Sequence, residues 1–321
     1  MIEEQRHELL AYIASMYYEG EKSQNEIAGE LGLSRVKVYR LLKEAREEQI
    51  VKIVIDWPIE RDNQLENNLM QDFQLKKALV LKSNASYNVG GLHRLGQLAA
   101  HYLELILEDG MTLSVCLGRS TYEVINAVRP TFSAHVNVAQ AMGSIPFAIQ
   151  DMDSPALARQ LANMLGGQVF YLSSPLIANT PEEADVIRRQ RLIEHTLNIS
   201  RSADILLVGI GGMNPETSRY VQLDIIPVEK LQELEAEGAV GDIGGQFFNQ
   251  AGDLHPCVYN QCMIGLTIEE MKNIPNTIAV AAGLYKAKAI RGGLRAGVID
   301  CLCTDTQTAS EVLRLEEELS K

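Results

Sequence analysis

Hydrophobic positions in the first 50 residues recur at helical spacing. Leu9, Leu10, Ile13, Met16 and Tyr17 fall at i, i+1, i+4, i+7 and i+8, one apolar stripe on one helix. Ser23 followed by Glu26 is a capping box that opens a short helix, Gln24 to Leu31. Gly32 breaks the chain, and Ser34 caps a third helix in which Val38, Leu41, Leu42 and Ala45 turn inward. Gln49–Trp57 alternates like a strand, and Pro58 to Asn63, a proline with a polar and charged stretch, marks a boundary.

Beyond that boundary the period switches repeatedly between two and 3.6. Strand-like runs fall at Ala78–Leu81, Thr112–Leu117, Val136–Met142, Gln168–Leu172, Asp204–Ile210, Thr277–Ala282 and Val298–Thr304. Helical patterns lie between most of them, among them Leu92–Leu107, Ala156–Leu165, Glu182–Ser200 and Thr306–Leu319. Strands alternating with helices predict βαβ units and a mainly parallel sheet. The expected fold is therefore α/β: a helical N-terminal domain over 1–57, then a larger Rossmann-like domain over 58–321. The 321 residues suit two domains, with no need for a disulfide or metal staple.

Composition narrows the function. No apolar run reaches the roughly 18–20 residues that span a bilayer, and the acidic, polar MIEEQRHELL start is no signal peptide. Five cysteines without a secretion signal fit a reducing cytoplasm, and Cys116, Cys301 and Cys303 sit in apolar runs as small hydrophobes. The net charge of −13 argues against general polyanion binding. Yet Ser34–Arg46 carries Arg35, Lys37, Arg40, Lys43 and Arg46 against Glu44 alone, a local +4.

That basic helix, joined to the preceding one by Gly32-Leu33, has the form of a helix-turn-helix. The DNA major groove admits one helix, whose N-terminal residues meet the base edges. Arg35, Lys37, Tyr39 and Arg40 are placed for this, while Ser34, Lys43 and Arg46 suit phosphates. The plainer alternative is an amphipathic helix with a solvated basic face.

In the second domain three glycine-rich turns follow strand-like runs. Gly118-Arg119-Ser120-Thr121 leads into a helix and suits a phosphate. Val208-Gly209-Ile210-Gly211-Gly212 follows Asp204–Leu207, and Gly283 ends Thr277–Ala282 with Lys286 one turn into the next helix. Gly241-Asp242-Ile243-Gly244-Gly245-Gln246, expected as a mobile segment, offers a carboxylate for sugar hydroxyls. Singly, each glycine cluster fits a tight strand-to-helix turn better than a cradle. Lys286 fits a solvated helix lysine as well as a ligand contact, and Asp242 equally suits a turn cap. No third glycine completes a dinucleotide fingerprint, and no P-loop is present. The six histidines lack metal-ligand spacing, and Cys257-x4-Cys262 stands without a second pair. No cofactor, metal or catalytic nucleophile is expected.

Together these landmarks resemble the SorC family of bacterial sugar-responsive regulators. The resemblance rests on Gln24–Ala45, Gly118–Thr121, Asp204–Gly211, Gly241–Phe248 and the Gly283–Thr304 block with Asp305, Thr308 and Ala309. It implies a DNA-binding domain joined to an effector domain related to sugar-phosphate isomerases. It also implies operator DNA and a phosphorylated sugar as partners, and a homodimer or homotetramer. By the same resemblance, residues 118–121 would hold the phosphate, Gly209 and Gly211 would border the effector, and Asp242, Gln246 and Lys286 would face the sugar. Two features depart from the family's habit: Gly292-Gly293 inside a helix, and Leu117, where relatives often have an aromatic or small residue. The rival classes are a sugar-phosphate isomerase or deaminase with an N-terminal assembly module and, less favoured, a redox or metal sensor using Cys257, Cys262, Cys301 and Cys303.

Overall fold

The computed structural model describes residues 3–48, 50–51, 55, 57–82, 91–116, 118–130, 135–144 and 154–319. Its contacts divide the chain into Met1–Pro58 and Ile59–Lys321.

The first unit holds α1 (Glu3–Tyr18), α2 (Gln24–Leu31) and α3 (Arg35–Glu47). Ser23 Oγ accepts from Glu26 N at 3.3 Å, and Glu26 Oε2 accepts from Ser23 N at 2.8 Å, closing the capping box. Gly32 ends α2 in the left-handed conformation (φ 65°), which glycine adopts without strain. Leu10, Ile13, Ile27, Val38, Leu41, Leu42 and Ala45 are buried together, and an Arg6–Glu44 ion pair ties α1 to α3. Gln49 and most of the expected strand Gln49–Trp57 lie outside the described residues.

The second unit begins with α4 (Asn63–Phe73), β1 (Lys77–Leu81), α5 (Gly91–Ile106), β2 (Thr112–Val115), α6 (Arg119–Ala127) and β3 (Val136–Gln140). It continues through α7 (Ser154–Met164), β4 (Gly166–Phe170), α8 (Pro181–Arg188), α9 (Arg191–Arg201) and β5 (Ile205–Gly209). Next come β6 (Gly211–Gly212), α10 (Arg219–Gln222), α11 (Val228–Ala236), β7 (Ala239–Ile243) and β8 (Gln246–Asn249). The last part is α12 (Val258–Cys262), α13 (Ile268–Met271), β9 (Asn276–Val280), a 3-10 turn (Leu284–Lys286), α14 (Ala287–Arg295), β10 (Cys301–Asp305) and α15 (Thr306–Leu319).

Seven strands form one parallel sheet in the order β1-β10-β9-β5-β2-β3-β4. Each of the seven strand-like runs supplies one of them. Alternate residues feed two cores: Val80, Leu206, Val208, Ala279 and Leu302 on one face, Leu79, Leu113, Val115, Ile205, Leu207, Ile278, Cys301 and Cys303 on the other. This two-sided burial is why the runs are nearly continuous in apolar residues. Cys301 and Cys303 pack there as reduced, buried thiols.

The structure departs from the expected pattern in three places. The helix expected over Glu182–Ser200 is two helices, with Gln190 in extended conformation at the start of the second. Residues 241–246 are not a mobile segment. They form the β7–β8 hairpin of a second, antiparallel sheet in the order β6-β7-β8, and Asp242 and Gln246 are both buried. Glycine-rich strands carry no periodic apolar signal, so this sheet was not legible. Finally, Gly292-Gly293 is a packing device. A Cβ on Gly292 would lie 2.9 Å from Asn249 O and 2.9 Å from Val240 Cγ2, so α14 approaches the β7–β8 hairpin at a distance only glycine permits. Leu117 lies outside the described residues.

Candidate functional site

The order of the parallel sheet reverses between β2 and β5. In open α/β sheets that switch point, outside the strands' carboxyl ends, is where ligands bind. A cavity of about 360 Å³ lies there. Segments after four neighbouring strands meet around it: Gly118–Ser120 after β2, Gly209–Gly212 at the end of β5, Ala282–Gly283 after β9, and Asp305 ending β10.

Its electrostatics are mixed and specific. Arg119 opens α6, so a guanidinium and a helix N-terminus share one wall. Thr121 Oγ1 accepts from Gly118 N at 2.8 Å and donates to Cys116 O at 3.0 Å, fixing the loop's shape. Thr121 is buried and holds the wall without lining the cavity. Arg219 and Lys286 bring two further cations to the cavity. Burial, with Arg119 nearby, lowers the pKa of Arg219. Burial likewise lowers that of Lys286, with Arg119 acting in the same direction and Asp242 opposing. Lys286 Nζ donates to Ile210 O at 2.8 Å, which orients the ammonium.

Asp242 is the buried anion of the site. Its Oδ2 accepts from Tyr220 Oη at 2.7 Å and from Gly245 N at 3.3 Å. Burial pushes its pKa up, while Tyr220, Lys286 and the Gly245 amide pull the other way. Gly211 pairs with Asp242 across the antiparallel ladder, and a Cβ on Gly211 would lie 1.8 Å from Asp242 Oδ1. That glycine is therefore the space in which the carboxylate sits.

The structure thus brings Gly118, Arg119, Ser120, Gly209, Gly211, Asp242 and Lys286 to one cavity. It does not bring Gln246 there. Gln246 is buried, and its Oε1 accepts from Ile268 N at 2.6 Å, so its amide braces α13. In a strand, successive side chains point to opposite faces, and four residues beyond Asp242 a hairpin turn intervenes. Sequence reading missed Ser218, Arg219, Tyr220 and Tyr285, which also line the cavity. Ser218 Oγ is buried and has no hydrogen-bond partner among the described residues. The polar stretch Asn214–Arg219 that follows the β5 glycines was the available signal. The Cys116 thiol borders the cavity but is pushed up to about 12, first by burial and then by Asp242. It stays a neutral thiol at physiological pH.

In the N-terminal unit, Arg35, Lys37, Tyr39, Arg40, Lys43 and Arg46 are all exposed on α3, opposite or beside the buried stripe. Ser34 caps the helix, its Oγ accepting from Lys37 N at 3.2 Å. The hydroxyl proton stays available to a phosphate. Lys43 pairs with Glu47 at 3.3 Å. Among the described residues no cluster of ligating side chains fits a metal, and no helix is long and apolar enough to cross a membrane.

A three-helix unit with a basic outward helix, followed by an α/β domain with a polar cavity at its switch point, defines the class of ligand-responsive transcriptional regulators. Comparison with known proteins specifies the family. The family model described as "Putative sugar-binding domain" matches residues 57–314. The transcriptional regulator LsrR of Escherichia coli K12 is 30% identical over 314 residues, 96% of this chain and 95% of its own. LsrR of an Enterobacter species is 31% identical over 316 residues, 96% of this chain and 93% of its own. The full-length sorbitol operon regulator SorC from Klebsiella pneumoniae superposes with a TM-score of 0.73 at 26% identity, covering 95% of this chain and 98% of that one. A Vibrio fischeri structure titled as the "Putative Sugar-Binding Domain of Transcriptional Repressor" gives a TM-score of 0.72 at 31% identity, over 80% of this chain and 100% of that one. The chain belongs to the SorC family of sugar-responsive transcriptional regulators.

Proposed function

We propose that residues 1–57 bind operator DNA through α3 and that residues 58–321 bind a phosphorylated sugar, whose occupancy sets operator affinity for a carbohydrate-utilisation operon. The observation that carries this reading is the convergence of Arg119, Arg219 and Lys286 on a cavity also lined by the carboxylates of Asp242 and Asp305. Three cations and a helix N-terminus suit a phosphate. The buried Asp242 and the partly buried Asp305 suit hydroxyl donors, and Gly211 leaves room for the Asp242 carboxylate. Ser218 Oγ, buried and without a partner among the described residues, gives the ligand one more hydrogen bond.

The ligand is read rather than turned over in this proposal. The Cys116 thiol is held neutral, and Asp242 is engaged by Tyr220 and Gly245. The protein acts in the cytoplasm as a homodimer or homotetramer, with no resident cofactor. Because a ligand shifts an equilibrium only through differential affinity, the sugar phosphate must bind one DNA-binding state more tightly than the other.

The test is fluorescence anisotropy of the full chain on DNA from upstream of its own operon, at fixed salt, with a panel of phosphorylated sugars. Specific, salt-sensitive binding altered by one of them supports the reading. A sugar phosphate consumed without specific DNA binding overturns it in favour of an isomerase or deaminase.

A further inference from the structure

On α3 the buried Val38, Leu41, Leu42 and Ala45 define the inward side. At about 100° per residue, the direction opposite them is occupied by Val36, Arg40, Lys43 and Glu47, with Arg35, Tyr39 and Arg46 on one flank and Lys37 on the other. Val36 is thus at the centre of the outward face, in the first turn. It is 60% exposed, the most exposed large apolar side chain among the described residues of its unit. Nothing in the helix calls for it there. A β-branched residue loses rotamer freedom in a helix, and at an exposed position it gains no packing in return. Its neighbours are Arg35, Lys37 and Arg40, and no carboxylate occurs from Ser34 to Lys43. An apolar spot ringed by cations fits a polyanion that has one apolar feature of its own.

Among base edges in the major groove, that feature is the C5-methyl group of thymine. We propose that Val36 is a specificity residue that packs on a thymine methyl, and that the operator carries this thymine close to the base pair read by Arg40. Positions 36 and 40 are separated by about 6 Å along the helix axis, roughly two base-pair steps. The thymine should therefore lie within about two steps of a guanine contacted by Arg40. The inference rests on the DNA-binding role proposed for α3 and names a base contact that role leaves open.

The test begins with the full chain and a pool of random duplexes, from which a preferred site is selected. Each thymine of that site is then replaced singly by deoxyuridine, which removes only the methyl group. Affinities are measured for the wild type and for Val36→Ala. One thymine per bound α3 should be methyl-sensitive, with roughly a fourfold loss for the wild type, the value of one methyl removed from water. Val36→Ala should bind the thymine and deoxyuridine sites equally, and the methyl-sensitive thymine should lie within about two steps of a guanine whose replacement matters to the wild type but not to Arg40→Ala.

Specific binding with no methyl-sensitive thymine coupled to Val36 overturns this proposal and leaves the DNA-binding role standing. So does a Val36→Ala variant that weakens binding to every duplex equally. If no sequence is enriched from the pool at all, the DNA-binding role fails, and this inference with it.

Discussion

Replacing Lys286 with methionine separates ligand recognition from folding. In the native chain the ammonium donates to Ile210 O at 2.8 Å, beside Asp242 and Arg119. Burial disfavours its charge, so the site holds this cation at a cost that a ligand phosphate would offset. Methionine matches the length of the stem and is at ease in a half-buried position. The change leaves the Ile210 carbonyl without this partner, costing about 0.5–1.5 kcal/mol, and removes the burial of a charge, which offsets it. Native stability should stay within about 1 kcal/mol. A charge-assisted hydrogen bond to the effector is worth about 1.5–3 kcal/mol, so effector affinity should fall roughly 10- to 150-fold. Calorimetric titration of both proteins with the active sugar phosphate, alongside urea unfolding, measures the two quantities on the same samples. Equal effector affinity would show that Lys286 serves the Ile210 carbonyl alone and would refute the assignment.

Three further outcomes are expected. Arg40→Ala should lower affinity for the selected operator by about 1–3 kcal/mol and leave effector titration unchanged; unaltered operator binding at physiological salt removes Arg40 from the interface. Gly292→Ala gains about 1 kcal/mol of helix propensity but drives a Cβ to 2.9 Å from Asn249 O. Overpacking against backbone costs about 1–3 kcal/mol, so a net loss of about 1 kcal/mol is expected in urea unfolding, and a gain would contradict the close-approach argument. Asp242→Asn tests the buried carboxyl, whose pKa is pushed above its ordinary 3.8 by burial. A raised folded pKa means that the native state prefers the protonated form, so its stabilising contribution is complete at low pH and is lost as pH rises through the folded value. The wild type should therefore gain stability relative to Asp242→Asn as pH falls from neutrality towards 3.8. A melting-temperature difference that is flat across that window would show that the carboxyl is not perturbed.

Local chemistry written in short stretches of sequence decided much of this protein. Ser23 with Glu26, Gly32 and Ser34 punctuate the three helices because caps and left-handed turns depend on the residue itself and its immediate backbone. Six of the seven parallel strands were legible because strands covered on both faces must be apolar nearly throughout, whereas the edge strand β4 is only partly buried. The basic face of α3 was legible for a similar reason, since helical spacing alone puts its charges opposite the buried stripe.

Tertiary structure decided what depends on non-local approach. Gly211, Gly241, Gly244 and Gly245 look like loop glycines in sequence, yet they build the small antiparallel sheet: a Cβ on Gly211 would meet Asp242 Oδ1 at 1.8 Å, one on Gly241 would meet Gly211 O at 2.5 Å, and Gly244 and Gly245 turn the hairpin at positive φ. Gln246 sits four residues from Asp242 but braces Ile268 rather than the cavity, because the turn between them sends the two side chains to different neighbours. Arg219 and Tyr220, remote from Gly118 and Lys286 in the chain, reach the same cavity because the sheet order reverses between β2 and β5. Spacing fixes which residues share a helix face or a strand face. Which faces then meet, and which buried carboxylate finds a tyrosine and an amide, is settled only by the packing of segments far apart in the chain.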